Sequence, residues 1–270
     1  MPNFVPQHPT IAPGSHSPAV GIPSIRAQSG PYLLRMVQTE EDLLEVCRLR
    51  FRIFNLELGE GLQRSIHSGT DCDRFDRQCH HLLVEHRHKG VIGTYRLQIA
   101  ESVGREGFYS AQEFDLKPIA DTILPHAVEL GRACIAKEHR KRKVLFLLWS
   151  GLAEYAKHFG KRYFFGCNSL TSQDPDLGWR TFDWLQHHNY LHSQILLPTT
   201  VPYSFARPEA ARCHRPRPVS GVPPLFAAYL RYGSKVCSEP ALDCEFGTID
   251  FLTLLDRHEL TPIQRARFRA

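Results

Sequence analysis

Residues 81–87 and 91–100 are two strand-like runs separated only by His88, Lys89 and Gly90. So short a connection leaves two extended segments one simple arrangement, an antiparallel hairpin. A hairpin must bury at least one face, and the rest of the chain supplies the cover. Val144, Leu148, Gly151, Leu152, Tyr155 and Phe159 recur at helical spacing, and Gly160 stands just past their end. Residues 128–136 and 162–170 read as strands on either side of that helix. Ahead of the hairpin, Thr39 and Asp42 form a capping pattern, after which Leu43, Val46, Cys47 and Phe54 mark a first helix. Residues 108–119 read as a short helix or loop, 179–187 and 223–233 as helices, and 245–255 as a closing strand. This order predicts a single α/β (α+β) domain with a mixed, largely antiparallel sheet flanked by helices.

Composition bounds what such a domain can do. Residues 1–31 are rich in Pro, Ser and Gly and nearly uncharged, which predicts a disordered leader. The folded domain is expected over 32–256, followed by a basic tail over 257–270. No run reaches the ~18 apolar residues of a membrane span, and the start lacks the layout of a secretory signal. A net charge of +5 favours anionic partners. The cations are dispersed and no nucleic-acid module appears, so nucleic-acid binding is not expected. Eight cysteines without a C-x-x-C pair give no zinc or thioredoxin motif and read as reduced thiols in a cytosolic protein. His86 and His88 share a strand face with nothing else to complete a ligand set, so no metal is expected.

The chemistry concentrates in residues 128–149, where a strand bearing Glu129 and Arg132 runs into His139, Arg140, Lys141, Arg142 and Lys143 and then into a bulky apolar helix. Positions three apart lie on opposite faces of a flat strand, so only a bulge would put Glu129 and Arg132 on one face. Such a bulge would also free backbone N–H groups for an oxyanion. The alternative is a structural ion pair between them. The cations precede a helix start, where free N–H groups and the dipole attract anions; a solvated basic turn is the plain alternative. Arg50 and Phe54 are one helical turn apart, which fits a stem packed on a ring. The apolar residues 144–149 nearly encircle their helix, as burial on two sides or contact with an acyl chain would require.

Taken in order, "RLRFRIF", "DCDRFD", "GTYRL", "EFDL" and "ELGRACI" resemble the autoinducer-synthase branch of the GNAT-like acyltransferases. The later segments, "LFLLWSGLAEYA", "FFGCNSL" and the stretch from Pro223 onward, resemble the ornithine-lipid-forming (hemolysin-like) N-acyltransferases and the long-chain N-acyl amino acid synthases. The resemblance spans roughly residues 32–256 and implies a GNAT-type fold. It also implies transfer of a long, 3-hydroxylated or plain, fatty acyl group from acyl carrier protein to the α-amine of an amino acid. Carried across, the functional set is Arg50, Phe54, Asp73, Asp76, Arg96, Phe114, Glu129 and Arg132. Glu129 would assist deprotonation of the amine with Arg132 beside it, and Asp73, Asp76 and Arg96 would form a charged network at the acceptor. The family's aromatic after the first helix is missing, since Leu58 to Gly61 stand there.

Acetyl-CoA-dependent relatives carry a Gly-rich turn before the helix. This chain has Arg140, Lys141, Arg142 and Lys143 and no glycine, which suits the single phosphodiester of acyl-phosphopantetheine on an acidic carrier protein better than coenzyme A. No tightly bound cofactor is expected. The resemblance implies a bacterial, cytoplasmic protein. The arginines of 205–217 and the terminal "RARFRA" suit an anionic membrane surface or ordinary solvated loops. The competing readings are an acyl-homoserine-lactone-type signal synthase and a non-catalytic membrane-associated protein.

Overall fold

A computed structural model describes residues 20–208 and 222–267. One sheet of nine strands organises them: β1 (Arg26–Ser29), β2 (Tyr32–Met36), β3 (His80–His86), β4 (Gly90–Ile99), β5 (Ala127–Ile135), β6 (Tyr163–Leu170), β7 (Lys235–Val236), β8 (Ala241–Asp243) and β9 (Thr248–Asp256). The order is β1-β2-β3-β4-β5-β6-β9-β7, with β8 also on β9. Every pairing is antiparallel except β5 with β6. The β3–β4 hairpin and the strands β5, β6 and β9 fall where alternation places them.

Helices cover both faces. Thr39 caps α1 (Glu40–Phe51) by accepting the Asp42 N–H at 3.1 Å, a contact worth about 1 kcal/mol. The helix then widens into a π-helical turn over Arg52–Leu58 and stops at Gly59, whose φ of 70° is left-handed. A short helix, α2 (Ser65–Ser68), follows. The apolar stripe of α1, Leu43, Val46, Cys47 and Leu49, packs on Leu83 and Val91 of the hairpin. On the opposite face α3 (Arg142–His158) buries Val144, Leu148, Leu152 and Tyr155 against Leu34, Leu82, Tyr95 and Val128. Beside it lie α4 (Pro175–His187) and α5 (Pro224–Arg231), and α6 (Pro262–Arg267) ends the described chain. Helix α4 starts four residues before the expected Trp179, because Asp174 caps it and Pro175 occupies its first turn.

Two expectations need correction. The leader ends earlier than residue 31, since β1 pairs with β2 along residues 26–29; residues 1–19 of it lie outside the described residues. In the basic tail after 256, Leu260 is buried and α6 follows. Cys47 and Cys72 are joined as a disulfide and so are not both free thiols. Of the arginine-rich stretch 205–217, positions 209–217 lie outside the described residues, and Arg207 pairs with Asp183 at 2.7 Å. Among the described residues no helix is long and apolar enough to cross a membrane.

Candidate active site

The site begins where the one parallel pair comes apart. Strands β5 and β6 are in register only over Ala127 with Tyr163, Val128 with Phe164 and Glu129 with Phe165. Beyond that point the β6-facing edge of β5 loses its ladder partner, and a cavity of about 500 Å³ opens between the strands. Gly166 sits at the parting. A Cβ there would lie 2.2 Å from the Leu130 carbonyl oxygen, so only glycine lets the two backbones approach so closely before diverging.

On its other edge β5 carries the bulge that Glu129 and Arg132 require. Arg96 pairs with Gly131 and Thr94 with Cys134, so two residues of β5 face Tyr95 alone. Arg132 absorbs the extra length with a φ of 47°. Its side chain thereby turns to the face that Glu129 already occupies. Sharing a face does not make them a pair. Glu129 accepts the N–H groups of Tyr109 (2.9 Å) and Ser110 (2.7 Å) and the Ser110 hydroxyl (2.5 Å). Burial pushes its carboxyl above the usual range, and these donors and the Arg96 charge only partly offset that.

Arg132 instead joins a buried lattice of three arginines and three aspartates. Its Nη2 donates to Asp73 at 3.1 Å, and its Nε lies 3.6 Å from Asp71. Arg50 grips both oxygens of Asp76 at 2.8 and 3.1 Å and reaches Asp71 at 3.4 Å. Arg96 donates to both oxygens of Asp73 at 2.7 Å and to Asp76 at 3.1 Å. Arg50 is wholly inaccessible. Burial alone would raise the aspartate pKa values. Arg96 and Arg132 nevertheless hold Asp73 below the usual range, and Arg50 and Arg96 hold Asp76 far below it. The Cys47–Cys72 bond ties α1 to the loop that carries these acids.

Only part of this set faces the cavity. Arg96, Glu129, Arg132 and Phe54 line it, as do Arg140, Lys141 and Arg142 at its mouth. Arg50, Asp73 and Asp76 stand behind that wall and fix Arg96 and Arg132 from the rear. Phe114 is fully buried in the core with Leu116, Phe165 and Leu197. In the basic turn Arg140 is held by both oxygens of Glu57 and by the Ile135 carbonyl, while Lys141, Arg142 and Lys143 are exposed.

A single domain with this V-shaped parting matches known proteins. Residues 49–150 match the acetyltransferase (GNAT) domain family. An L-ornithine N(alpha)-acyltransferase of Brucella abortus (strain 2308) is 30% identical over 260 residues, 91% of this chain and 89% of that protein. The chain belongs to the L-ornithine N(alpha)-acyltransferase family. A second member, from Agrobacterium fabrum, is 30% identical over 237 residues, 82% of this chain and 79% of its own. Among solved structures FeeM, an N-acyl amino acid synthase from uncultured soil microbes, aligns over 87% of this chain and 97% of its own, at 9% identity and a TM-score of 0.48.

In this member of the family the cavity has two unlike arms. One runs under α3 and α5 and is walled by Leu145, Trp149, Leu152, Phe226 and Tyr229. Helix α3 is buried on two sides, with Val144 and Leu148 against the sheet and Leu145 and Trp149 towards the cavity. The other arm is polar, with Glu60, Arg132, Thr171 and Asp250. Glu60 is raised by burial, against the Thr171 hydroxyl 2.8 Å away and the Arg132 charge. The sequence reading passed over Glu60, Asp71, Tyr109, Ser110 and Asp250. Asp250 carried a usable signal, being an acid set between Ile249 and Phe251 of a closing strand.

Proposed function

We propose that this acyltransferase moves a long-chain fatty acyl group from the phosphopantetheine thioester of acyl carrier protein to the α-amine of L-ornithine. The observation that carries the reading is the cavity at the β5–β6 parting, with an apolar arm on one side of the parted strands and a polar arm on the other. The apolar arm suits an acyl chain, and the thioester would then lie beside the edge of β5 past Glu129. The amine nitrogen attacks the thioester carbonyl carbon, the carbon–sulfur bond breaks, and the amine proton leaves through Glu129 while the pantetheine sulfur departs as a thiol. A carboxylate whose proton affinity is raised by burial suits that task. No tightly bound cofactor enters this scheme.

The names of the relatives support ornithine as acceptor, and the basic turn supports a carrier protein over coenzyme A. Leu56 and Leu58 are exposed on the π-helical turn, and Leu58 borders the cavity. They support a cytoplasmic enzyme that touches the inner membrane surface, where a lipid product would leave. Purified protein given long-chain acyl carrier protein and L-ornithine should form N-acylornithine, read by mass spectrometry. Absence of N-acyl product with ornithine and with a panel of other amino acids would sink the assignment.

Two substitutions divide the reading. Glu129→Gln should lower kcat by roughly 10²–10³-fold and remove the acidic limb of the kcat/KM profile, with carrier binding retained. An unchanged rate would leave Glu129 as only a clamp on residues 109–110. Reversing Lys141, Arg142 and Lys143 together to Glu should raise KM for acyl carrier protein at least tenfold at low salt, leave KM for ornithine alone, and flatten the salt dependence. A carrier KM that does not move would place the carrier elsewhere.

A further inference from the structure

Beyond the polar arm lies a group of acids for which the acyl-transfer chemistry has no use. Glu113, Asp243 at the end of β8 and Asp250 in β9 each bring a carboxylate oxygen within 4.8 Å of the others. All three are buried. Asp243 accepts the backbone N–H groups of Glu245 and Phe246 and faces the Tyr109 hydroxyl at 3.4 Å, and Asp250 accepts the Thr248 hydroxyl at 3.1 Å. Neither oxygen of Glu113, nor Oδ1 of Asp250, meets an N–H or O–H donor at good geometry among the described residues; the Glu113 and Asp250 carboxyls instead face each other closely enough to share a proton, and the Ser169 hydroxyl eases the Asp250 anion. The Cys167 thiol is the side chain that eases the Glu113 anion, and a thiol is a weak donor.

The contrast with the neighbouring lattice is instructive. There, three aspartates meet three arginines; here, no arginine or lysine among the described residues pairs with any of the three acids. Buried acids without a counter-charge are costly, and carboxylates gathered this closely suit either a shared proton or a bound cation that bears hydrogens. Asp250 opens this group to the cavity, and Cys167 and Ser110 link it to Glu129, with the thiol 3.6 Å from the Ser110 hydroxyl. A ligand with one amine at Glu129 and another at the acids is a diamine. An ammonium offers three donors, whereas a calcium-like ion asks for six or more oxygens.

Resting on the acyltransferase reading above, we infer that Glu113, Asp243 and Asp250 form the subsite for the side-chain ammonium of a diamino acid acceptor and select it over a monoamine of equal length. Without that ammonium the acids hold protons instead: burial together with Asp250 and Asp243 keeps Glu113 well above the usual range, and burial brings Asp250 up to about 6. The titratable and polar groups facing them are Tyr109, Cys167, Ser169, Thr248 and Tyr203.

The test compares L-ornithine with L-norvaline, which has the same carbon chain without the terminal amine. Isothermal calorimetry and acyl-transfer kinetics would be run on the wild type, Glu113→Gln and Asp250→Asn. The wild type should prefer ornithine at least tenfold in Kd and KM. Each variant should bring the two within about threefold through a weakened response to ornithine, with Tm at or above wild type, because an uncompensated buried acid is gone. Folded variants that keep the full preference would overturn the subsite. Should a variant fail to fold, the wild type still decides: its ornithine KM should rise relative to norvaline as pH falls through 6, and a constant ratio refutes the inference. Magnesium or calcium binding that depends on these acids, with no ornithine preference, would also refute it. If no N-acyl product forms at all, the acyltransferase reading falls, while calorimetric discrimination between the two amino acids still settles the subsite.

Discussion

Arg50→Ala is expected to destabilise the protein by roughly 3–5 kcal/mol, the cost of leaving a buried ionic partner uncompensated. The residue is wholly inaccessible and is the main counter-charge of Asp76, with Asp71 close behind. Its loss leaves Asp76 with Arg96 and Asp71 with Arg132 at 3.6 Å as their remaining counter-charges, in a place where water does not reach. A fall in the urea midpoint with an unchanged m-value would be the signature. Because Asp76 also holds Arg96, the same change should loosen Arg96 and Arg132 at the cavity wall, so the folded fraction should show a raised acceptor KM. Arg50→Lys should rescue little, since a point charge cannot reproduce the fork that grips both oxygens of Asp76. A variant within about 1 kcal/mol of wild type would show that the lattice is not a structural keystone.

The pH dependence has a fixed sign. The folded pKa values of Asp73 and Asp76 are depressed below the ordinary value of about 3.9. Their contribution is present in full above that value and is lost as pH falls through the folded pKa values. In Arg50→Ala that depression shrinks, so acid unfolding should begin at a higher pH than in the wild type.

The fold was legible wherever one pattern dominated. Residues 81–100 read as a hairpin because the turn is short and both arms carry strand-forming apolar runs, and α3 because its stripe continues through Tyr155 and Phe159. What escaped was short or non-periodic. Strands β7 and β8 span two and three residues and owe their existence to the edge of β9. The π-helical turn continues the α1 pattern with no break in composition.

The site was legible in its local parts. The strand motif implied that a bulge was needed before Glu129 and Arg132 could share a face, and the structure has one. It did not reveal that the two would take different partners, because Ser110 and Asp73 lie far from them in sequence. The acids Glu113, Asp243 and Asp250 are brought together by β9 and the segment around Tyr109, and no spacing within the chain announces that. Arg50 shows the same limit from another side: its helical spacing to Phe54 was visible, but its true partners come from the loop after α2.

Gly166→Ala should all but abolish acyl transfer, and the reason is local to one atom. The added methyl would meet the Leu130 carbonyl oxygen at 2.2 Å, a backbone atom that no rotamer change can move aside. Relief requires β6 to shift away from β5, yet β6 is fixed on its far side by eight register pairs with β9. The strain must therefore fall on the parting itself, where Leu130 and Gly131 border the cavity. Overpacking of this kind costs roughly 1–3 kcal/mol, which a domain of this size can survive. A displacement near 1 Å at the reacting atoms is enough to cost about 10²-fold in rate. The expected result is a folded protein with a modestly lowered Tm and at least a hundredfold lower kcat, with carrier affinity retained because the basic turn lies beyond the distortion. Wild-type turnover by the alanine variant would mean that the thioester does not sit where β5 and β6 part.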